Sequence, residues 1–104
     1  MSKVRITWTP QAQEDLRQIE QFIARDAPRT ARAFIRRLKA AVDRLKLFPE
    51  SGAIVSELGD PDVREILHGT YRIIYQYKRK KVAILTVFHG ARLLDEDNLP
   101  DTEE

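Results

Sequence analysis

A single change in hydrophobic period, near the middle of the chain, constrains the fold more than any other feature. Between residues 10 and 48, apolar side chains recur every three or four residues, which is the spacing of amphipathic helices. From residue 63 onward, the segments VREIL, YRIIYQY and VAILTVF are rich in β-branched and aromatic residues, which is typical of strands. A helical block followed by a strand block predicts an α+β domain in which helices cover one face of a sheet.

Prolines and a capping residue divide the first half of the chain. Residues 3–8 alternate polar and apolar side chains, which predicts a first strand. Thr9 is an N-cap residue and Pro10 suits the first helical position, so a helix begins there. The sequence Asp-Ala-Pro at 26–28 breaks it, and Pro49 ends a second helix. Two amphipathic helices joined by so short a break predict an antiparallel hairpin with one shared apolar side.

The second half predicts a loop followed by a three-stranded meander. Residues 50–61 contain two glycines and a proline and have no sustained period, which indicates a loop. In the middle strand the tyrosines share one face with Ile73, and we expect the helices to cover that face and leave the face of Arg72 open. The last strand is apolar on both faces, which favours an interior place in the sheet. The predicted fold is β-α-α-β-β-β, a helical hairpin on one face of a mainly antiparallel sheet.

Length and composition limit the classes of protein to consider. The 104 residues predict a single domain over residues 1–94, followed by a flexible acidic tail over 95–104. No apolar run approaches the ~20 residues of a membrane span, and the first residues lack the apolar stretch of a secretion signal, so we expect a cytoplasmic protein. Without cysteine, and with two histidines, the sequence predicts no disulfide, no metal site and no cofactor.

Charge is unevenly distributed along the chain, although the formal net charge is only +2. Residues 29–46 carry seven basic side chains and one acidic side chain, and residues 62–92 carry seven basic and two acidic ones. The last ten residues carry six acids and no base. A basic body suits a polyanionic or acidic partner, but the same charges are equally typical of solvated helix faces.

Several short motifs occur together in one order. The strand Tyr-Arg-Ile-Ile-Tyr at 71–75 is followed by an apolar strand that ends in His-Gly-Ala-Arg at 89–92. Upstream lie Thr-Pro-Gln-Ala at 9–12 with Asp-Leu at 15–16, and Phe-Pro at 48–49 before a glycine-containing loop. In this order and spacing, over about residues 4–94, the chain resembles toxins of the RelE/ParE superfamily of type II toxin–antitoxin systems.

The resemblance implies one of two targets. In the ribonuclease branch, which cleaves ribosome-bound messenger RNA, Arg72 matches the arginine that binds the scissile phosphate and His89 matches an acid–base position. The ParE branch acts on DNA gyrase, and His-Gly-Ala-Arg, with no aromatic residue after the histidine, is similar to that branch. We therefore favour a gyrase inhibitor that is not an enzyme, with Arg72 and His89 catalytic only in a nuclease. The resemblance also implies a cognate antitoxin in a hetero-oligomer with this chain.

Two sets of residues are the candidates for these contacts, and simpler structural roles stay open beside them. The predicted target-binding residues are Arg64, Arg72, Arg92, Leu93 and Leu94, and the predicted antitoxin-binding residues are Arg32, Arg36 and Lys39. Arg72 has an alternative as the cross-strand partner of Glu65, and His89 has one as a packed strand residue. The basic run 78–81 is typical of a solvated hairpin tip, with a phosphate clamp as the alternative. An inactive homologue that only holds its antitoxin is the third functional possibility.

Overall fold

The computed structural model describes residues 4–90. Its helices are α1 (Pro10–Ala24) and α2 (Pro28–Asp43), and α2 runs into a short 3-10 turn (Arg44–Lys46). Its strands are β1 (Arg5–Trp8), β2 (Ala53–Ile54), β3 (Val63–His68), β4 (Tyr71–Lys78) and β5 (Lys81–His89). Within this part of the chain, no helix combines the length and the apolar character that crossing a membrane requires.

The five strands form one sheet in the order β1-β5-β4-β3-β2. Strand β1 pairs with β5 in parallel, and every other pairing is antiparallel. The predicted meander and the interior place of β5 are confirmed. The prediction of a loop over residues 50–61 is wrong at one point, because Ala53 and Ile54 pair with Glu65 and Arg64 and add a two-residue edge strand. Such a short strand has no room to show a period of two in the sequence.

The two helices cover the tyrosine face of the sheet, as predicted. Leu16 and Ile19 of α1 and Leu38 of α2 are buried against Ile73 and Tyr75 of β4. Tyr71 and Tyr77 are partly buried against the same core, so the tyrosines have a packing role. The largest hydrophobic cluster of the domain therefore lies between the helical layer and the sheet.

The N-terminus of α1 is fixed to an irregularity in β5. The pairing of β4 with β5 shifts register between Ile74 and Tyr75, which leaves Leu85 as an extra residue. The Thr9 hydroxyl caps α1 by accepting from the Ala12 amide at 3.1 Å, and it donates to the carbonyl oxygens of Ile84 (2.8 Å) and Leu85 (3.0 Å). The predicted N-cap is confirmed, and the same hydroxyl also ties the helix to the sheet.

Asp15, one turn into α1, makes the second link to this bulge. Its Oδ2 accepts from the Thr86 hydroxyl at 2.5 Å and from the Val87 amide at 3.0 Å, and its Oδ1 accepts from the Gln11 amide at 2.7 Å. The Thr-Pro-Gln-Ala and Asp-Leu motifs thus have a structural explanation, since they place two oxygen atoms opposite the bulge.

The sheet face away from the helices is not open along its whole length, which corrects the prediction of an uncovered face. Residues 49–62, which we refer to as the covering loop, fold over the Arg72 end of this face. Val55 of the loop is fully buried, and Leu58 packs beside it. Beneath them lies a second, smaller core, whose sheet residues are Val63, Ile74, Leu85 and Phe88. The alternation in the strands leaves apolar groups on both faces, and the loop removes part of the second set from water.

Candidate functional site

Arg72 lies on the second face of the sheet between two carboxylates. Its Nε donates to Glu65 Oε1 at 2.6 Å, and its Nη1 donates to Glu57 Oε2 at 3.2 Å. The guanidinium carbon lies 5.4 Å from the ring centre of Phe88, the residue opposite Arg72 on β5. Only 12% of the Arg72 side chain is exposed. The interpretation of Arg72 as a partner of Glu65 is confirmed, but the pair is largely buried rather than solvated. Glu57 of the covering loop is a second partner that the sequence did not reveal.

These contacts fix the charge states of the group. Burial alone would lower the pKa of Arg72, but the hydrogen bonds to Glu65 and Glu57 outweigh it and hold that pKa above its ordinary value. The hydrogen bond from Arg72 in turn lowers the pKa of the Glu57 carboxyl. At neutral pH these shifts hold Arg72 as a cation and Glu57 as an anion.

Arg64 does not share the face of Arg72, which corrects the expectation that both lie on one binding surface. The register pairs Arg64 with Tyr75 and Arg72 with Leu67, and an offset of three residues along a strand reverses the face. The Arg64 Nη1 donates to the carbonyl oxygens of Gly52 (2.8 Å) and Glu50 (3.2 Å). Arg64 therefore holds the start of the covering loop.

Tyr75 also holds the start of the covering loop, through its buried hydroxyl. Its hydroxyl donates to the Pro49 carbonyl at 2.8 Å and accepts from the Gly52 amide at 3.0 Å. Burial raises the pKa of this phenol, and the bond from Gly52 offsets part of the rise. A Cβ on Gly52 would lie 2.6 Å from the Glu65 carbonyl oxygen and 2.6 Å from the Tyr75 hydroxyl, so the position requires glycine. The Phe-Pro motif before a glycine thus fits the anchoring of the covering loop.

Both histidines lie on the helix side of the sheet. His89 is exposed at the end of β5, so it is not a core histidine. Its ring meets the edge of Tyr71 with centroids 5.7 Å apart, and Tyr71 in turn meets Phe34 of α2 at 5.5 Å. His68 stacks at a tilt against Phe34 at 4.9 Å. An aromatic group at one end of the sheet therefore includes both histidines.

Arg72 and His89 do not form a nuclease pair in this geometry. Cleavage by a ribose 2′-hydroxyl needs a cation at the phosphate and an acid–base group at the same phosphodiester. Arg72 pairs with Phe88 across the strands and His89 pairs with Tyr71, so their side chains leave opposite faces of the sheet. Over residues 4–90, no group of three or more His, Asp or Glu side chains could hold a metal ion.

The predicted antitoxin-binding residues form one stripe on α2. Arg32, Arg36 and Lys39 are exposed, and their spacing of four and three residues places them on one side of the helix. Lys39 also lines a groove of 510 Å³ between the helices, together with the apolar side chains of Trp8, Leu16 and Ile35 and with four polar ones, Gln13, Arg17, Glu20 and Asp43. The predicted target-binding residues Arg92, Leu93 and Leu94 and the acidic tail lie outside the described residues.

Comparison with known proteins identifies relatives along most of the sequence. Residues 6–94 match a family model described as the ParE toxin of type II toxin–antitoxin systems, parDE. A putative toxin, Y4kP, of Sinorhizobium fredii is 36% identical over 95 residues, covering 86% of this chain and 92% of the relative. Toxin RelE2 of Caulobacter vibrioides is 33% identical over 90 residues, covering 86% of this chain and 98% of the relative.

Two solved structures have the same fold. A chain of the chromosomal ParDE system from P. aeruginosa superposes with a TM-score of 0.71 at 21% identity, covering 83% of this chain and 95% of that one. A chain of the toxin–antitoxin complex RelBE2 from Mycobacterium tuberculosis superposes with a TM-score of 0.58 at 22% identity, covering 85% and 99%. The predicted α+β class, with two helices packed on a mainly antiparallel sheet, is confirmed.

Proposed function

We propose that this chain, which belongs to the ParE toxin family of type II toxin–antitoxin systems, inhibits growth by acting on DNA gyrase and is neutralised by a cognate antitoxin. The choice of gyrase over messenger RNA rests on the hydrogen bonds and the position of Arg72. Its guanidinium is occupied by Glu57 and Glu65, and it lies on the face opposite to His89. An RNA phosphate at Arg72 would have to displace two carboxylates of like charge to itself. This arrangement supports a toxin without the ribonuclease reaction.

The contact with gyrase in this proposal uses the end of β5 and the residues that follow it. Arg92 supplies charge, and Leu93 and Leu94 supply apolar anchors of the kind that dominate interfaces. The family match extends to residue 94 and so includes all three. Arg64 and Arg72 were predicted for the same contact, but their side chains are engaged within the domain, which favours the C-terminal residues as the principal contact.

Two assays with the purified full-length chain test the target. We expect the chain to inhibit supercoiling by purified gyrase and to leave messenger RNA on translating ribosomes intact. Replacing Arg92, Leu93 and Leu94 with alanine should abolish the inhibition while the variant still binds its antitoxin, which serves as the folding control. Ribosome-dependent cleavage that disappears in His89→Ala, together with unimpaired gyrase, would establish the nuclease instead.

The antitoxin contact in this proposal is the groove between the helices and the basic stripe beside it. An apolar floor of Trp8, Leu16 and Ile35 fits the apolar side of an amphipathic segment, and Arg32, Arg36 and Lys39 fit acidic side chains on its flank. The two solved structures described above come from toxin–antitoxin systems, which supports a protein partner of this kind.

Charge reversal along this stripe tests the antitoxin contact. The triple variant Arg32→Glu, Arg36→Glu, Lys39→Glu, co-expressed with the adjacent small gene, should lose the copurifying antitoxin at moderate salt. Its matched control reverses three exposed basic residues that lie off this side of the helix, Arg37, Arg44 and Lys46, and should retain the antitoxin. Equal recovery with both variants would place the contact elsewhere on the domain.

A further inference from the structure

Four basic side chains meet at the end of the sheet opposite to Arg72, on the face away from the helices. The register places Arg5 beside Lys81 and Lys81 beside Lys78, so three adjacent strands carry a cation in the same row. Arg79, in the turn between β4 and β5, lies next to them and lines the same depression. We refer to Arg5, Lys78, Arg79 and Lys81 as the basic patch. Because neighbouring strands lie about 4.8 Å apart, the row spans roughly 10 Å.

Among the residues that the structure describes, no acidic side chain pairs with the basic patch. All four side chains are exposed, and within residues 4–90 none of them takes part in an ion pair. Like charges directly opposite each other in a sheet are destabilising, and here two such pairs share Lys81. A row of unneutralised cations with a cost in stability indicates a function outside the domain.

The turn beside the row carries a second cost. Arg79 has φ 54° and Lys80 has φ 61°, which are left-handed values that a two-residue hairpin turn of this type requires at both positions. Asn-Gly is the usual sequence at such a turn, because glycine has no Cβ and asparagine tolerates left-handed φ values better than most other residues. The chain has two long basic residues at positions where a neutral pair would be more stable. Backbone strain of this kind is typical of functional sites.

The surface between the cations is shallow and neutral. The next row across the same three strands is Thr7, Ala83 and Gln76, which offers a small side chain flanked by two hydrogen-bonding groups. None of the acidic residues in the described part of the chain lines the depression. The aromatic neighbours Trp8 and Tyr77 pack against the core on the opposite face, so the patch has no ring on which an unpaired base could stack.

We propose that the basic patch binds the sugar–phosphate backbone of duplex DNA without regard to sequence. A duplex carries one negative charge per ~1.7 Å of its axis, so several phosphates fall within the span of the row. Contacts from lysine, arginine, threonine and glutamine side chains to phosphate oxygens are the usual means of such binding. The absence of a stacking ring favours a duplex over a single strand. This inference does not depend on gyrase as the target.

The test measures the binding of the purified full-length chain to a short fluorescent DNA duplex of mixed sequence at several salt concentrations. Each phosphate contact contributes about 0.9 to the slope of log affinity against log salt, which is about eightfold in affinity at 0.1 M salt. The triple variant Arg5→Gln, Lys78→Gln, Lys81→Gln should therefore lower the slope by about 2 to 3 and the affinity by on the order of 10².

The matched control removes the same number of charges from the helical side through Arg29→Gln, Arg37→Gln and Lys46→Gln. It should bind the duplex as the unchanged chain does. Equal losses in the two variants would mean that net charge alone attracts DNA and would overturn the proposal, as would undiminished binding by the patch variant. Tighter binding to a single strand or to an RNA duplex of the same length would overturn the assignment to duplex DNA.

A second variant addresses folding and the turn together. Arg79→Asn with Lys80→Gly installs the favoured turn sequence, so the melting temperature should rise while the salt slope falls by about 1. A lowered slope in this more stable protein separates loss of binding from loss of fold. A raised melting temperature with the slope unchanged would mean that the turn charges are only a solvated hairpin tip, and would remove Arg79 from the site.

Discussion

The two ends of one sheet face carry positive charge in opposite environments. At the Arg72 end, the covering loop excludes water, and two carboxylates enclose a single guanidinium that is 12% exposed. The covering loop does not reach the other end, where the four cations of the basic patch are exposed and have no carboxylate partner within residues 4–90. The arginine in the recognisable Tyr-Arg-Ile-Ile-Tyr motif is thus the less available charge. Its availability is set by Glu57 and Glu65, which the fold brings to it.

The largest change in the free energy of unfolding should come from a substitution that detaches the covering loop. Gly52→Ala forces a Cβ against the Glu65 carbonyl oxygen and the Tyr75 hydroxyl, and should lower the free energy of unfolding by roughly 3 kcal/mol. Gly59→Ala is the matched control, because Gly59 has a left-handed φ of 65° but open space around its Cα, and should cost only about 1 kcal/mol. Urea denaturation measures both. Equal losses would show that Gly52 has no special role in fixing the loop.

Arg72→Met should have the next largest effect, about 2 kcal/mol at neutral pH, because it leaves two partly buried carboxylates without a cation. Glu57 has a lowered pKa in the folded protein. Its contribution to the free energy of unfolding is therefore complete above the ordinary pKa of 4.5, and it is lost as the pH falls through the lowered pKa of the folded state. The difference between Arg72→Met and the unchanged chain should therefore narrow below pH 4.5.

The control for this substitution is Arg17→Met, which breaks an ion pair with Glu14 on the exposed surface of α1. The hydrogen bonds from Arg17 and Gln18 lower the pKa of Glu14 to about 2, but both members of the ion pair are in water, and we expect no measurable loss of stability. A loss from Arg17→Met as large as that from Arg72→Met would mean that the covering loop gives Arg72 no special environment.

The smallest effect should come from the basic patch, where a substitution should raise the free energy of unfolding instead of lowering it. Lys81→Gln removes the central charge of the row and should raise the free energy of unfolding by about 0.3 kcal/mol at low salt. The gain should disappear as salt screens the repulsion. Lys46→Gln, a change of the same type away from the row, should have no effect. A loss of stability in Lys81→Gln would show that the lysine stabilises the sheet, and that the two ends of the face do not differ as described.

The sequence predicted the elements far better than the partners of its side chains. The starts of the helices, the meander and the buried tyrosine face follow from local patterns, because Thr9, Pro28 and the strand alternation act over a few residues. The end of the second helix was predicted at Pro49, but α2 ends at Asp43 and the 3-10 turn after it at Lys46. Strand β2 and the second core were missed, because Val55 becomes buried only when the covering loop crosses the sheet.

The candidate site was predicted only in part, because its contacts depend on register. Arg64 was assigned to the wrong face of the sheet. Which residues of β3 share a face with Arg72 of β4 depends on the register of the two strands, and the sequence does not give that register. Glu57 lies 15 residues before Arg72 along the chain. It belongs to a segment without a hydrophobic period, so the sequence does not indicate where its side chain lies relative to the sheet. The basic patch combines Arg5 of β1 with residues of the hairpin between β4 and β5, and this neighbourhood depends on the pairing of β1 with β5. Without that pairing, the basic run at 78–81 is typical of a solvated hairpin tip.

The bulge in β5 has a consequence for how the chain is made. Thr9 and Asp15 hold α1 to backbone atoms more than 70 residues later, and among the described strands β1 pairs with β5 alone. Domains emerge from the ribosome at about 5 to 20 residues per second, and contacts of such high sequence separation form late. Both helices are synthesised well before the strand that anchors them. An interrupted chain that lacks β5 therefore has neither a docked α1 nor a paired β1, and the domain acquires its fold only after β5 has been translated.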